Sequence, residues 1–208
     1  MTCLEPSTGG GRRRLPALLI LASTSPRRAE LLREHGYAFE IMASPRPEPV
    51  QFLPGLSPVQ RAEASSEFKA RSVAKLVAVG WVLAADTIAS LGGRVFGKPV
   101  DRDDARRILQ SLSGTTHQVI TGVTLLDASN GATVTHHDST DVTMRRLSER
   151  EIEDYLDSGA WEGKAGAYGI QDQGDAFVER IDGSFTNVVG LPMELVERML
   201  DEFARKAC

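Results

Sequence analysis

The sequence predicts an α/β fold with a mixed sheet, and three observations carry that prediction. Two continuous apolar runs of strand length, residues 17–22 and 81–85, read as buried strands. Segments with helical spacing of apolar residues lie between and after them, several opened by a hydroxyl or carboxylate residue suited to a cap. Two hairpins, over residues 88–96 and 117–145, turn at Gly92-Gly93 and at Ser129-Asn130-Gly131, so the sheet cannot be all parallel.

The elements follow in order. After the first strand, Ser23, Thr24 and Ser25 end the apolar run, Ser25 is placed as an N-cap with Pro26 at the first helical position, and Gly36 ends the helix just past His35. Residues 37–43 read as a second strand. The stretch 44–58 holds five prolines and no regular structure is expected there. Ser57-Pro58 opens a helix expected to reach about Val79. The run 81–85 is the central strand, ending at Asp86-Thr87. Asp101 opens a helix to about Leu112, with Ala105, Ile108, Leu109 and Leu112 on one face. The hairpin 117–145 follows, and Ser148 with Glu151 forms a capping-box pattern for a helix through Leu156. Residues 161–174 are glycine-rich, 176–181 read as a short strand, 188–191 as another, and Pro192 starts the last helix.

Composition narrows the class. The 208 residues are 41% hydrophobic and 25% charged, ordinary for a globular protein, and suffice for one core or for two lobes around a cleft. A net charge of −4 argues against a general binder of nucleic acid polymers, yet leaves room for a small anion in a local basic pocket. No apolar run approaches the ~18 residues of a membrane span. The two cysteines, Cys3 and Cys208, lack metal-ligand spacing and read as free thiols in a reducing, cytoplasmic compartment. Residues 1–15, with Gly9-Gly10-Gly11 and Arg12-Arg13-Arg14, read as a disordered leader before a single domain at 16–208.

Four places could carry chemistry. The helix start at Ser23 to Arg28 gathers hydroxyls, two guanidinium groups and backbone N–H donors, which suits phosphate. Asp86, at the end of a central strand, could hold Mg2+ or polarise a water. Lys98 sits in a loop after a hairpin. The segment Lys164 to Gln171 combines small residues that let a flat ligand approach with an amide that can both donate and accept. No P-loop and no Gly-x-Ser-x-Gly elbow is present, and the four histidines have no metal spacing. His35 is expected to cap a helix C-terminus, and His136 and His137 to point to opposite faces of a strand. Together these features fit a nucleotide with Mg2+ without specifying the reaction.

The blocks Ser23-Thr24-Ser25-Pro26-Arg27-Arg28, Ala85-Asp86-Thr87, Gly97-Lys98-Pro99, Ser113-Gly114, His117-Gln118-Val119, Thr121-Gly122, the run Lys164 to Gln171 and Val189-Gly190-Leu191-Pro192 closely resemble the Maf-like nucleoside triphosphate pyrophosphatases. They occur in that family's order across residues 18 to about 203. The resemblance implies an inosine-triphosphatase-like fold, two lobes around a cleft with a mixed, twisted central sheet flanked by helices, in chains that are often homodimers. It implies cleavage of a nucleoside triphosphate to monophosphate and pyrophosphate with a divalent cation, Mg2+ or alternatively Mn2+. Carried over by residue, it implies Asp86 as general base or metal ligand and Glu48 as an acidic residue near the metal. Ser23, Arg28, Lys69 and Lys98 would hold phosphates, and Lys164 would stand in the cleft. Arg27, Thr87 and Gln171 would govern base choice, with the Asp-Thr and Tyr-Gly-Ile-Gln pattern pointing to dTTP and UTP. One departure is Pro47-Glu48, where the family usually has an acidic pair. The same chemistry on 7-methyl-GTP or CTP, and a nucleotide-binding regulator of cell division, are the alternatives.

Overall fold

Strand β3 (Trp81–Leu91) is the axis of the molecule. It lies near the middle of a seven-stranded mixed sheet in the computed structural model, which describes residues 15–45, 55–170 and 176–207. Parallel to β3 runs β1 (Leu19–Leu21), and parallel to that the edge strand β2 (Phe39–Ile41). On its other side β3 pairs antiparallel with β5 (Thr116–Asp127), which pairs in turn with β6 (Thr133–Met144), and β6 with β7 (Val178–Asp182). The short β4 (Arg94–Phe96) folds back on the end of β3.

The apolar run 81–85 is continuous because β3 is buried on both faces. Trp81, Leu83 and Ala85 join the larger core with Leu19, Leu21 and Leu125. Into this core pack α1 (Pro26–Glu34), α3 (Arg102–Leu112), α4 (Glu149–Asp157) and α6 (Met193–Ala207). Trp81 meets Phe203 of α6 edge-on, ring centroids 5.2 Å apart. Val82 and Ala84 face the other way, with Ile20, Ala22 and Leu126, under Ala70 and Val73 of α2 (Pro58–Ala74).

The cap signals act where the sequence places them. Asp101 accepts from the backbone N–H of Asp104, and Ser57 and Ser148 form complete capping boxes with Gln60 and Glu151. Ser25 occupies the N-cap of α1, but its side chain makes no capping bond; the hydroxyl of Ser23 accepts from the Ser25 N–H instead, at 3.1 Å. His35 caps the other end, its Nδ1 2.8 Å from the Leu31 carbonyl.

Three boundaries differ from expectation. β3 does not end at Asp86-Thr87 but runs through them to Leu91, because β5 continues to pair with it, Asp86 against Gly122 and Thr87 against Thr121. α2 stops at Ala74 rather than near Val79, since the chain must turn at Gly80 (φ 120°) into β3; Leu76 and Val79 are left exposed. Residues 188–191 are not a strand: Ser184 caps the short helix α5 (Phe185–Val189), and the buried Asn187 side chain ties it to the Val119 carbonyl and the Thr140 hydroxyl. The leader (but for Leu15), both cysteines and residues 46–54 and 171–175, with Glu48 and Gln171, lie outside the described residues. Among the described residues no helix is long and apolar enough to cross a membrane.

Candidate active site

The site originates in a mismatch of strand lengths. β1 ends its pairing with β3 at Leu21–Leu83, and the chain turns away through Ser23 into α1, while β3 runs on for eight more residues to Leu91. A cleft of about 930 Å3 opens where β1 has left. Ser23, Arg27 and Arg28 line it from the start of α1, Lys69 from α2, and Asp86 and Thr87 from β3. Lys98 and Lys164 close it from two loops.

At the floor, Lys69 Nζ lies 2.5 Å from Asp86 Oδ1, and both side chains are largely covered, 14% and 16% exposed. The pair forms because alternation along β3 turns Asp86 to the same face as Val82 and Ala84, the face that α2 covers. Thr87 therefore turns to the opposite face, where its hydroxyl lies 2.9 Å from that of Thr121 and accepts from Arg28 Nη2 at 3.0 Å.

One wall is built from residues 164–170. Lys164 is 9% exposed, and a single 3-10 turn over Ala165–Ala167 follows it. The Gly166 N–H donates to the Gly97 carbonyl at 3.1 Å, which ties this wall to the loop of Lys98. The turn is tight: Ala167 has φ 62°, in the left-handed region, and a Cβ on Gly166 would stand 3.1 Å from Ala89 Cβ. Behind it the buried Tyr168 hydroxyl lies 2.7 Å from His117 Nε2. Burial pushes the Tyr168 phenol up and holds the His117 imidazole down at about 4, so His117 is neutral at pH 7.

Eight of the ten residues anticipated for the site, Ser23, Arg27, Arg28, Lys69, Asp86, Thr87, Lys98 and Lys164, converge on this cleft. Glu48 and Gln171 lie outside the described residues. Sequence reasoning missed the support behind Thr87: Thr121, the Gly190 carbonyl and Asn187, whose carbonyl accepts from Thr121 at 3.2 Å. The signal was Thr121 in a strand that would pair with β3; only the register shows that it opposes Thr87. The neutral His117 behind Tyr168 had no local signal at all. Among the described residues no three His, Cys, Asp or Glu side chains stand close enough to hold a metal ion. Asp86 still offers what Mg2+ needs from a protein when substrate phosphates and water complete its shell: a hard carboxylate oxygen in an open cleft.

An open mixed sheet with a strand-end cleft, where Arg27, Arg28, Lys69, Lys98 and Lys164 outnumber the carboxylates of Glu30, Glu34, Asp86 and Glu162, defines an α/β protein built to hold a small polyanion. The chain belongs to the Maf-like protein family, whose model matches residues 18–203. It is 41% identical over 185 residues to the dTTP/UTP pyrophosphatase of Pelotomaculum thermopropionicum, covering 89% of this chain and 96% of that one. It is 43% identical over 193 residues to the dTTP/UTP pyrophosphatase of Bdellovibrio bacteriovorus, covering 89% and 98%, and 45% identical over 180 residues to that of Syntrophomonas wolfei, covering 86% and 94%.

Proposed function

We propose that this protein hydrolyses dTTP and UTP to the nucleoside monophosphate and pyrophosphate. The observation that carries the reading is the Lys69–Asp86 pair at the floor of a cation-lined cleft, in a chain whose relatives are named for that reaction.

The residues divide the work. Lys98, Lys164 and the N–H groups at the start of α1 face the triphosphate and offset its charge. Lys69 fixes the orientation of the Asp86 carboxylate. Asp86 takes a proton from a water as that water bonds to the α-phosphorus; the bond from this phosphorus to the α,β-bridging oxygen breaks, and pyrophosphate leaves with the electron pair. Asp86 and Glu48 would hold Mg2+, which would supply further charge neutralisation for the leaving group. Base choice falls to Arg27 and Thr87, which line the cleft, together with Gln171. Nucleoside triphosphates are made and used in the cytoplasm, and the reaction belongs there. A homodimer is the assembly expected in solution, which a mass measurement checks.

The test is pyrophosphate release from a panel of nucleoside triphosphates, with and without Mg2+, for wild type and Asp86→Asn. Release confined to dTTP and UTP, dependent on metal and reduced about 10²-fold or more in the variant, is expected. Equal release from all nucleotides, or an unaffected variant, rejects the reading. Release from 7-methyl-GTP or CTP alone keeps the chemistry and changes the substrate, and tight nucleotide binding without release favours a regulator.

A further inference from the structure

Arg28 faces the cleft, yet its guanidinium is directed at the protein. Nε donates to the Gly190 carbonyl at 2.7 Å. Nη1 donates to the Ala85 carbonyl at 2.8 Å and to Ser23 Oγ at 3.3 Å, and Nη2 donates to Thr87 Oγ1 at 3.0 Å. A guanidinium has five N–H donors, and these four bonds engage all three of its nitrogens.

The Ala85 carbonyl explains why an arginine is needed. Successive carbonyls of a strand alternate between its two edges, so Ala85 points its oxygen to the same edge as Leu83. Leu83 gives its oxygen to the Ala22 N–H at 2.8 Å. Two residues on, β1 has turned away, and no strand remains to supply a donor. A backbone carbonyl in a part-buried place requires one. Arg28 supplies it, with Lys69 Nζ 3.5 Å away. The peptide so gripped is the one that joins Ala85 to Asp86.

We propose that Arg28 is a positioning residue, which sets the Asp86 carboxylate by holding the Ala85–Asp86 peptide against the Gly190 turn, and that it is not a ligand of the substrate phosphates. Four donors at fixed angles join the start of α1, the middle of β3 and the turn after α5, and a flexible point charge cannot reproduce that fork. Gly190 supplies the φ of 124° that presents its carbonyl at this turn, a backbone conformation that other residues adopt only under strain. The inference rests on the reading of Asp86 as the base of the proposed reaction.

The test is a double-mutant cycle on the full chain with Mg2+ and dTTP, using Arg28→Lys, Asp86→Asn and the pair. kcat, KM, the dTTP Kd on the Asp86→Asn proteins and the urea midpoint are read for each. Arg28→Lys is expected to lower kcat about 10²-fold, the loss that a misplaced reacting group brings, with KM nearly unchanged. Added to Asp86→Asn it is expected to change the residual kcat and the dTTP Kd by less than about twofold, because the group it positions is already disabled. A kcat loss of the same size in both backgrounds, or a Kd weakened about tenfold, makes Arg28 a phosphate ligand and overturns the inference. Arg28→Gln, which keeps a planar amide donor, is measured beside it; unfolding of both variants reduces Arg28 to a structural staple and overturns it too. A wild type that releases no pyrophosphate removes the proposed function and the inference together, whereas an active wild type with an affinity-only defect in Arg28→Lys removes the inference alone.

Discussion

Asp86 stands directly across the β3–β5 ladder from Gly122, and the backbone of α2 occupies the space a Gly122 side chain would need. A Cβ there would come within 2.3 Å of the Ala62 carbonyl carbon and oxygen and 2.6 Å of the Glu63 nitrogen. These are backbone atoms, so no rotamer change relieves the clash and the helix itself must move. Ala62 and Lys69 are two turns apart on one helical face. The glycine thus brings α2 close enough for Lys69 to reach Asp86.

Gly122→Ala is therefore expected to cost about 1–3 kcal/mol of stability through overpacking. It is also expected to lower pyrophosphate release more than the stability loss explains, because Lys69 is displaced from Asp86. Urea unfolding and turnover of the folded variant check this. A stable variant with full activity contradicts the placement of α2.

Lys69 orients a carboxylate and adds a positive charge to the cleft floor. Lys69→Met is expected to lower kcat and raise KM together, reducing kcat/KM for dTTP about 10²-fold or more. Steady-state kinetics at constant Mg2+ read both parameters. A change confined to KM would make Lys69 a phosphate ligand only.

His117 gives the protein a defined response to acid. Its folded value, lowered to about 4 by burial against the opposing charge of Asp141, lies below the 6.5 of the unfolded chain. Between these values the unfolded state binds the extra proton. The contribution is complete above pH 6.5 and is lost as pH falls toward 4, by up to about 3 kcal/mol. Urea unfolding at pH 7 and pH 4.5 is expected to show a larger acid loss for wild type than for His117→Gln. Equal losses contradict it.

The capping box at α4 offers a local check. The Arg145 guanidinium and two bonds from Ser148 hold the Glu151 carboxyl down at about 2. Ser148→Ala removes the hydroxyl that accepts from the Glu151 N–H, and is expected to cost about 1 kcal/mol. A shift in the unfolding midpoint with unchanged activity is the expected reading, since α4 does not line the cleft.

Features decided within three or four residues were legible in the chain. Ser57, Asp101 and Ser148 announce their helices because cap and first turn are adjacent in sequence. The hairpin at Gly92-Gly93 and the doubly buried run 81–85 follow from turn chemistry and strand length. Asp86-Thr87 misled because two polar residues after an apolar run look like an ending. What carries β3 onward is pairing with β5, more than thirty residues away. Residues 188–191 misled because two valines favour a strand locally, while Asn187 reaches across 68 residues to Val119 and holds a helical turn instead.

The cations, the carboxylate and the hydroxyls of the site, and their place at the ends of apolar runs, were determined by the sequence alone, because residue type and local spacing carry that information. Their division of labour was decided only by the tertiary structure. Arg28 and Arg27 are neighbours at one helix start, and nothing local separates them. Arg28 is set apart by the Gly190 carbonyl, 162 residues on, and by the carbonyl of Ala85 that β1 abandons. The physical reason is that a backbone acceptor becomes an orphan only once strands of unequal length have paired, and no stretch of sequence contains that inequality by itself.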